Sequence, residues 1–314
     1  MIVDLPDTTT SALSKALVKI REEGGAVALG RVLTLVIATP LGEEEEAIEA
    51  ANDASREHPM RVIVLSRRPE PTDEEARLDG QIRVGGDAGA SEVVVLRAYG
   101  AAASDEEGLV TSLLLPDAPV VVWWPSVAPQ APSRSPLGRI AQRRITDAAE
   151  AADPVQALTT LGRNYQPGDT DFSWTRLTLW RAQLAAVLDQ PPYEPVTAVT
   201  VSGASDSPST ELLAAWLRLQ LQVPVALETT PSLGSSGIHG VKLERASGII
   251  DLERTMPNVA TLVQPNQPTH DISLPRRSLR DCLAEELRRL DPDDLFGEVV
   301  QRGLALLDTP AEKV

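Results

Sequence analysis

The sequence predicts an α/β protein of two α/β domains, each with a mixed, mostly parallel sheet flanked by helices. Three observations carry that expectation. Residues 31–39 (RVLTLVIAT) and 60–66 (MRVIVLS) are near-continuous apolar runs, the pattern of strands covered on both faces. Residues 43–58 between them have helical character, so strand, helix and strand form a parallel βαβ crossover. A second such unit follows in residues 196–201, 207–221 and 223–228. At about 150 residues per domain, a chain of 314 residues suggests two. Tyr165-Gln166-Pro167-Gly168-Asp169 reads as the joint, dividing the chain into 1–168 and 169–314.

The elements follow in order. In residues 8–23, Leu13, Ala16, Leu17 and Ile20 fall at i, i+3, i+4 and i+7, an amphipathic helix that Gly24-Gly25 would stop. Residues 43–46 are four Glu in the first turn of the next helix, where the dipole favours negative charge. Strands are expected at 81–84 and 92–98 (EVVVLRA); the glycine-rich 85–89 between them suggests a hairpin and a mixed sheet. A helix at 105–115 leads to a strand at 119–124 (PVVVWW). Pro125, Pro129, Pro132 and Pro136 then mark an extended loop. Helices are expected at 139–152, 154–163 and 173–189, the last ended by Pro191-Pro192. Short strands at 238–244, 248–253 and 259–263, then helices at 276–290 and 292–307, close the chain.

Charge narrows the function classes. With 29 Lys+Arg against 45 Asp+Glu, the net charge is −16, which counts against nucleic acid and anionic membranes as partners, since both need a basic footprint. Cys282 alone excludes an internal disulfide and a Cys-rich zinc site, and His58, His239 and His270 are scattered, so no metal centre is expected. The N-terminus lacks a signal-peptide layout and no apolar run approaches the roughly 20 residues of a membrane span, so a cytoplasmic location is expected.

Patterns that carry catalytic chemistry are scarce in the sequence. Gly234, Gly237 and Gly240 lack the G-x-G-x-x-G spacing and precede a strand, which favours an ordinary turn. Ser202–Ser207 joins a strand to a helix, where α/β folds bind anions; a plain N-cap at Asp206 or Ser207 is the simpler reading. His270-Asp271 has no G-x-S-x-G partner and reads as a loop. Cys282 lies on the apolar stripe of its helix, as a buried thiol would. No catalytic, cofactor or metal residues are predicted.

Tryptophan and arginine stand out instead. The chain has only five Trp, three Tyr and two Phe, yet Trp174, Arg176, Trp180 and Arg181 share one short run. They are either core anchors or a recognition surface, the latter because Trp and Arg dominate binding hot spots. Trp123 and Trp124 point to opposite faces of their strand, so both cannot enter one core face. Arg139, Arg143 and Arg144, with Arg134, make a basic stretch in an acidic chain, either a solvated helix face or a site for an acidic partner. These residues are the partner-binding candidates.

Several segments, in order along most of the chain, carry a family resemblance: PVVVWWP (119–125), RRITDAAEA (143–151), DFSWTRLTLWR (171–181), VSGASDSPSTELLAAWL (201–217) and PRRSLRDCLAEELRRLDPDDLF (275–296). The sequence resembles the OpcA family, the glucose-6-phosphate dehydrogenase assembly proteins. The W-T-R-x-T-x-W-R run is its most specific part. The resemblance implies a cytosolic accessory protein without catalysis of its own, which binds that dehydrogenase and promotes its assembly or activation in the oxidative pentose phosphate pathway. Some relatives are linked to redox control through thioredoxin, but Cys282 alone cannot form a switch disulfide. The competing reading is a phosphosugar-binding enzyme or metabolite sensor, with a weak phosphosugar ligand near Ser202–Ser207 or Gly234–Gly240.

Overall fold

The computed structural model describes residues 1–23, 32–68, 74–85, 92–231 and 237–307. The first half runs β1 (Ile2–Leu5), α1 (Thr10–Glu23), β2 (Leu33–Pro40), α2 (Glu45–Ala54), β3 (Met60–Arg67), β4 (Arg77–Val84) and β5 (Glu92–Tyr99). It continues with α3 (Glu106–Thr111), β6 (Val120–Trp123), α4 (Pro136–Arg139), β7 (Arg143–Thr146), α5 (Pro154–Asn164) and β8 (Asp169–Asp171). Next come α6 (Phe172–Thr175), α7 (Thr178–Leu188), β9 (Ala198–Ala204), α8 (Pro208–Leu221) and β10 (Val225–Thr230). The antiparallel run β11 (Ile238–Arg245), β12 (Gly248–Met256), β13 (Val259–Val263) and β14 (His270–Ser273) leads to α9 (Leu279–Arg288), α10 (Asp294–Glu298) and α11 (Leu304–Leu307).

The chain forms two compact units, each built from separate stretches rather than from one continuous half. The first comprises 1–147, 168–170 and 278–292. Its eight-stranded sheet has the order β1-β4-β5-β3-β2-β6-β7-β8. The predicted crossover is present: β2 pairs with β3 in parallel from Leu33↔Met60 to Pro40↔Arg67. β3/β5, β2/β6 and β6/β7 are also parallel, whereas β1/β4 and β4/β5 are antiparallel. The expected β4–β5 hairpin is thus paired; residues 86–89 of its connection, like Gly24-Gly25, Arg31 and Gly234, lie outside the described residues.

Helix α9 belongs to this unit for identifiable reasons. A capping box between Ser278 and Asp281 starts it, and its inner face buries Cys282, Leu283 and Leu287. A ring nitrogen of His58 hydrogen-bonds the Ala284 carbonyl at 3.1 Å, and Glu286 pairs with Arg143.

The second unit comprises 148–167, 171–277 and 293–314. Its six-stranded sheet has the order β10-β9-β11-β12-β13-β14. The βαβ unit β9–α8–β10 is parallel, as expected. Every other pairing here is antiparallel, so the parallel weighting of the fold resides in the first sheet. Short connections explain the three pairings from β11 to β14, because a parallel pairing needs a long crossover. Leu212, Leu213, Val199, Val201, Trp174 and Phe296 are among the buried side chains of its core.

Three local expectations are corrected. Residues 139–152 do not form one helix: α4 ends at Arg139, and Arg143–Thr146 is a buried strand. The two arginines disguised it, since charge at successive positions suggests solvent unless each has an interior partner. The helix expected at 173–189 is two, α6 and α7, separated at Arg176-Leu177. His270–Ser273 is a strand, not a loop, completing the sheet edge against β13.

Candidate functional site

Backbone pairing and burial place the tryptophans and arginines singled out above. Trp123 ends β6 and is fully buried; Trp124 packs into the core of the first unit. They face opposite ways as expected, and both are covered, as in a sheet buried on two faces. On β7, Arg143 pairs with Glu286 and donates to the Asp291 carbonyl at 2.8 Å. Its neighbour Arg144 pairs with Asp169, and its Nη1 donates to the Ala141 carbonyl at 2.9 Å. Arg139 is exposed, with Glu107 at 3.1 Å.

In the second unit, Trp174 is buried. Its indole Nε1 donates to Asp293 at 2.8 Å, and the Arg181 guanidinium stacks 3.7 Å from its ring centroid. Trp180 is buried too, with the Arg254 guanidinium 5.4 Å from its ring. Arg176 and Arg181 are half-buried. Trp123, Trp124, Arg143, Arg144, Trp174 and Trp180 are thus buried, Trp124 and Trp180 each bordering a cavity, whereas Arg139 is exposed and Arg176 and Arg181 are half-buried.

Two concave sites stand out among the described residues. The first lies where strand order reverses in the sheet of the first unit, because β3 and β5 extend to one side of β2 while β6 and β7 extend to the other. In open α/β sheets, ligands bind at the carboxyl ends of the strands at such a point. Here Thr39, Pro40, Leu65, Arg67 and Trp124 line a cavity of about 380 Å³. A phosphate would sit at the turn into α2, but that turn carries Glu43 and Glu44. The Glu44 carboxylate already accepts the Gly42 N–H at 3.2 Å and the Ser66 hydroxyl. Burial pushes the Glu44 carboxyl up, but those two bonds and the charge of Arg97 hold it below its ordinary value. Arg67 is paired with Glu106. The Glu44 carboxylate thus occupies the Gly42 N–H of this turn, and its negative charge opposes a phosphate there.

The second cavity, about 340 Å³, lies wholly in the second unit. Arg176, Arg254, Arg276 and Arg277 line it together with Ser207 and Trp180. The sequence had marked Ser202–Ser207 and Gly234–Gly240 separately; Ser207 and Gly237 both border this cavity. Sequence reasoning missed Arg254, Arg276 and Arg277, which come from β12 and the segment after β14. Arg254 donates to the Pro257 carbonyl at 2.7 Å and the Leu274 carbonyl at 2.6 Å. Its acidity is increased by burial and by the nearby charge of Arg276.

Two family models match the chain in order. The model described as glucose-6-phosphate dehydrogenase subunit N-terminal domain matches residues 51–163, and the corresponding C-terminal domain model matches 167–300. No curated protein matches significantly. Among solved structures, a crystal structure of an oxidoreductase from Sinorhizobium meliloti is similar at 10% identity and TM-score 0.47, over 87% of this chain and 95% of that one. Myo-inositol dehydrogenase from Lactobacillus casei, in complex with NAD(H) and myo-inositol, is similar at 10% identity and TM-score 0.46, over 87% and 93%. Likeness this remote implies no shared chemistry.

Proposed function

The chain belongs to the OpcA family of glucose-6-phosphate dehydrogenase assembly proteins, and from that premise we propose that it is a non-catalytic partner of that dehydrogenase. It binds the enzyme and promotes its assembly or activation in the oxidative pentose phosphate pathway. The observation that carries this reading is the match of both subunit-domain models, in order, from residue 51 to residue 300. For an accessory protein to activate, it must bind the active or assembled state more tightly than the other, and differential affinity is the whole of its effect.

The contact candidates we favour are Arg139 on the first unit and, separately, Arg176 and Arg181 on the second, the exposed or half-buried members of the Trp/Arg set in an acidic chain. Trp123, Trp124, Arg143, Arg144, Trp174 and Trp180 serve them indirectly, by fixing the backbone within each unit. The test is co-purification of the two proteins followed by light-scattering mass measurement. A stable species heavier than the dehydrogenase alone is expected. Two proteins that elute at their separate masses across a range of concentrations would sink the reading.

A further inference from the structure

The crevice at the strand-order reversal of the first unit carries more than its topology requires. Trp124 lines it and is 5% exposed. Its indole N–H meets no acceptor among the described residues, and it is not one of the donors sealed from solvent. A buried indole N–H usually has a partner, so this one is a donor left open on the cavity side. Val127, in the same lining, is a 55% exposed apolar side chain at the rim.

The other polar groups are few. Arg67 and Glu106 form an ion pair in the wall, neutral as a unit. Both keep spare capacity: one further guanidinium nitrogen donates to the Arg68 carbonyl at 3.1 Å, while a guanidinium has five N–H donors and a carboxylate about four acceptor sites. The hydroxyls of Thr39 and Ser135 already donate to the carbonyls of Glu43 and Pro132. Leu65, Pro40, Pro129 and Pro136 supply apolar walls, and the volume of about 380 Å³ is within the range of small-ligand sites. Recognition here rests on one indole donor and one donor–acceptor pair between apolar surfaces.

That pattern discriminates among ligand classes. A free sugar carries hydroxyls all round, and those against the proline and leucine walls would lose water without gaining a partner. A purely aliphatic ligand would strand the indole N–H and the ion pair. A phosphate or carboxylate would meet the charge of Glu44 on the adjoining turn, which stays ionised at neutral pH because its carboxyl is held below its ordinary value. A flat heterocycle has apolar faces for the walls, with its donors and acceptors confined to the ring edge.

We propose that this cavity binds the base of an uncharged nucleoside. A ring nitrogen or carbonyl of the base accepts the Trp124 N–H, and its edge donor and acceptor meet Glu106 and Arg67. Val127 covers the base at the rim.

The full-length protein is titrated calorimetrically with adenosine, guanosine and uridine, with their 5′-monophosphates, and with ribose and glucose as controls. At least one nucleoside should bind at submillimolar concentration, its monophosphate several-fold more weakly, and the sugars not at all. Trp124→Phe keeps a ring but removes the donor, and nucleoside affinity should fall about threefold or more, as loss of one hydrogen bond implies. Val127→Asp, at an exposed position that leaves the core intact, should weaken binding as well and serves if Trp124→Phe does not fold. Arg280→Ala, outside the cavity, should bind as the parent does. No nucleoside binding at millimolar concentration, a monophosphate that binds more tightly than its nucleoside, equal binding of the sugars, or parent-like affinity in folded Trp124→Phe or in Val127→Asp would each overturn the proposal. None of these results depends on the dehydrogenase.

Discussion

Glu286 shows how much one side chain carries here. It is buried and pairs with Arg143, which is equally buried on β7. Removing one member of a buried pair leaves the other charge desolvated and uncompensated, which costs about 3–5 kcal/mol. Glu286→Ala is therefore expected to lower unfolding stability by that order in urea titration, while an exposed change such as Arg280→Ala stays within about 0.5 kcal/mol. Glu44 supplies a pH signature. Its carboxyl is held below the ordinary value of 4.5 in the folded protein, despite burial, by Ser66, the Gly42 N–H and Arg97. A depressed carboxyl contributes stability above its unfolded pKa and loses it as pH falls through the folded value. Part of the acid destabilisation below about pH 4.5 should then disappear in Glu44→Gln, with the parent and variant curves converging at low pH.

Among the elements, α9 is the most informative because its neighbours in sequence belong to the other unit. Its start depends on Ser278, whose hydroxyl accepts the Asp281 N–H while the Asp281 carboxylate accepts the Ser278 N–H. Ser278→Ala should cost about 1 kcal/mol in thermal or urea unfolding. Elements with regular hydrophobic patterning were legible in the sequence: α1, β2, α2, β3 and the β9–α8–β10 unit stand where periodicity put them. Strand β7 was not, because the arginines that dominate it are neutralised by Glu286 and Asp169, which are distant in sequence. Edge strand β14 was hidden by its polar His270-Asp271, since an edge needs little apolar content.

For the whole molecule, the chain passes between its two units more than once. A fragment of residues 1–168 lacks α9 and therefore the partner of Arg143 and the cover provided by Cys282, Leu283 and Leu287. It should lack the cooperative thermal transition of the full chain; a fragment that melts as sharply and as high would contradict this division. The arginine cavity belongs to the same scale. Its lining residues lie between positions 149 and 277, so no local motif reveals it, although Ser207 and Gly237 each stand in a segment with a possible anion-binding pattern. The concentration of Trp and Arg in residues 174–181 was visible, but its interior role was not, because Asp293 and Phe296, against which Trp174 packs, lie over a hundred positions away.

The most direct measurement is dehydrogenase turnover as this protein is titrated against a fixed amount of the enzyme. A saturable rise in rate or a lowered KM is expected at a defined stoichiometry, with no turnover from this protein alone. A dehydrogenase whose rate, KM and assembly state are all unchanged at saturating protein would contradict the central claim.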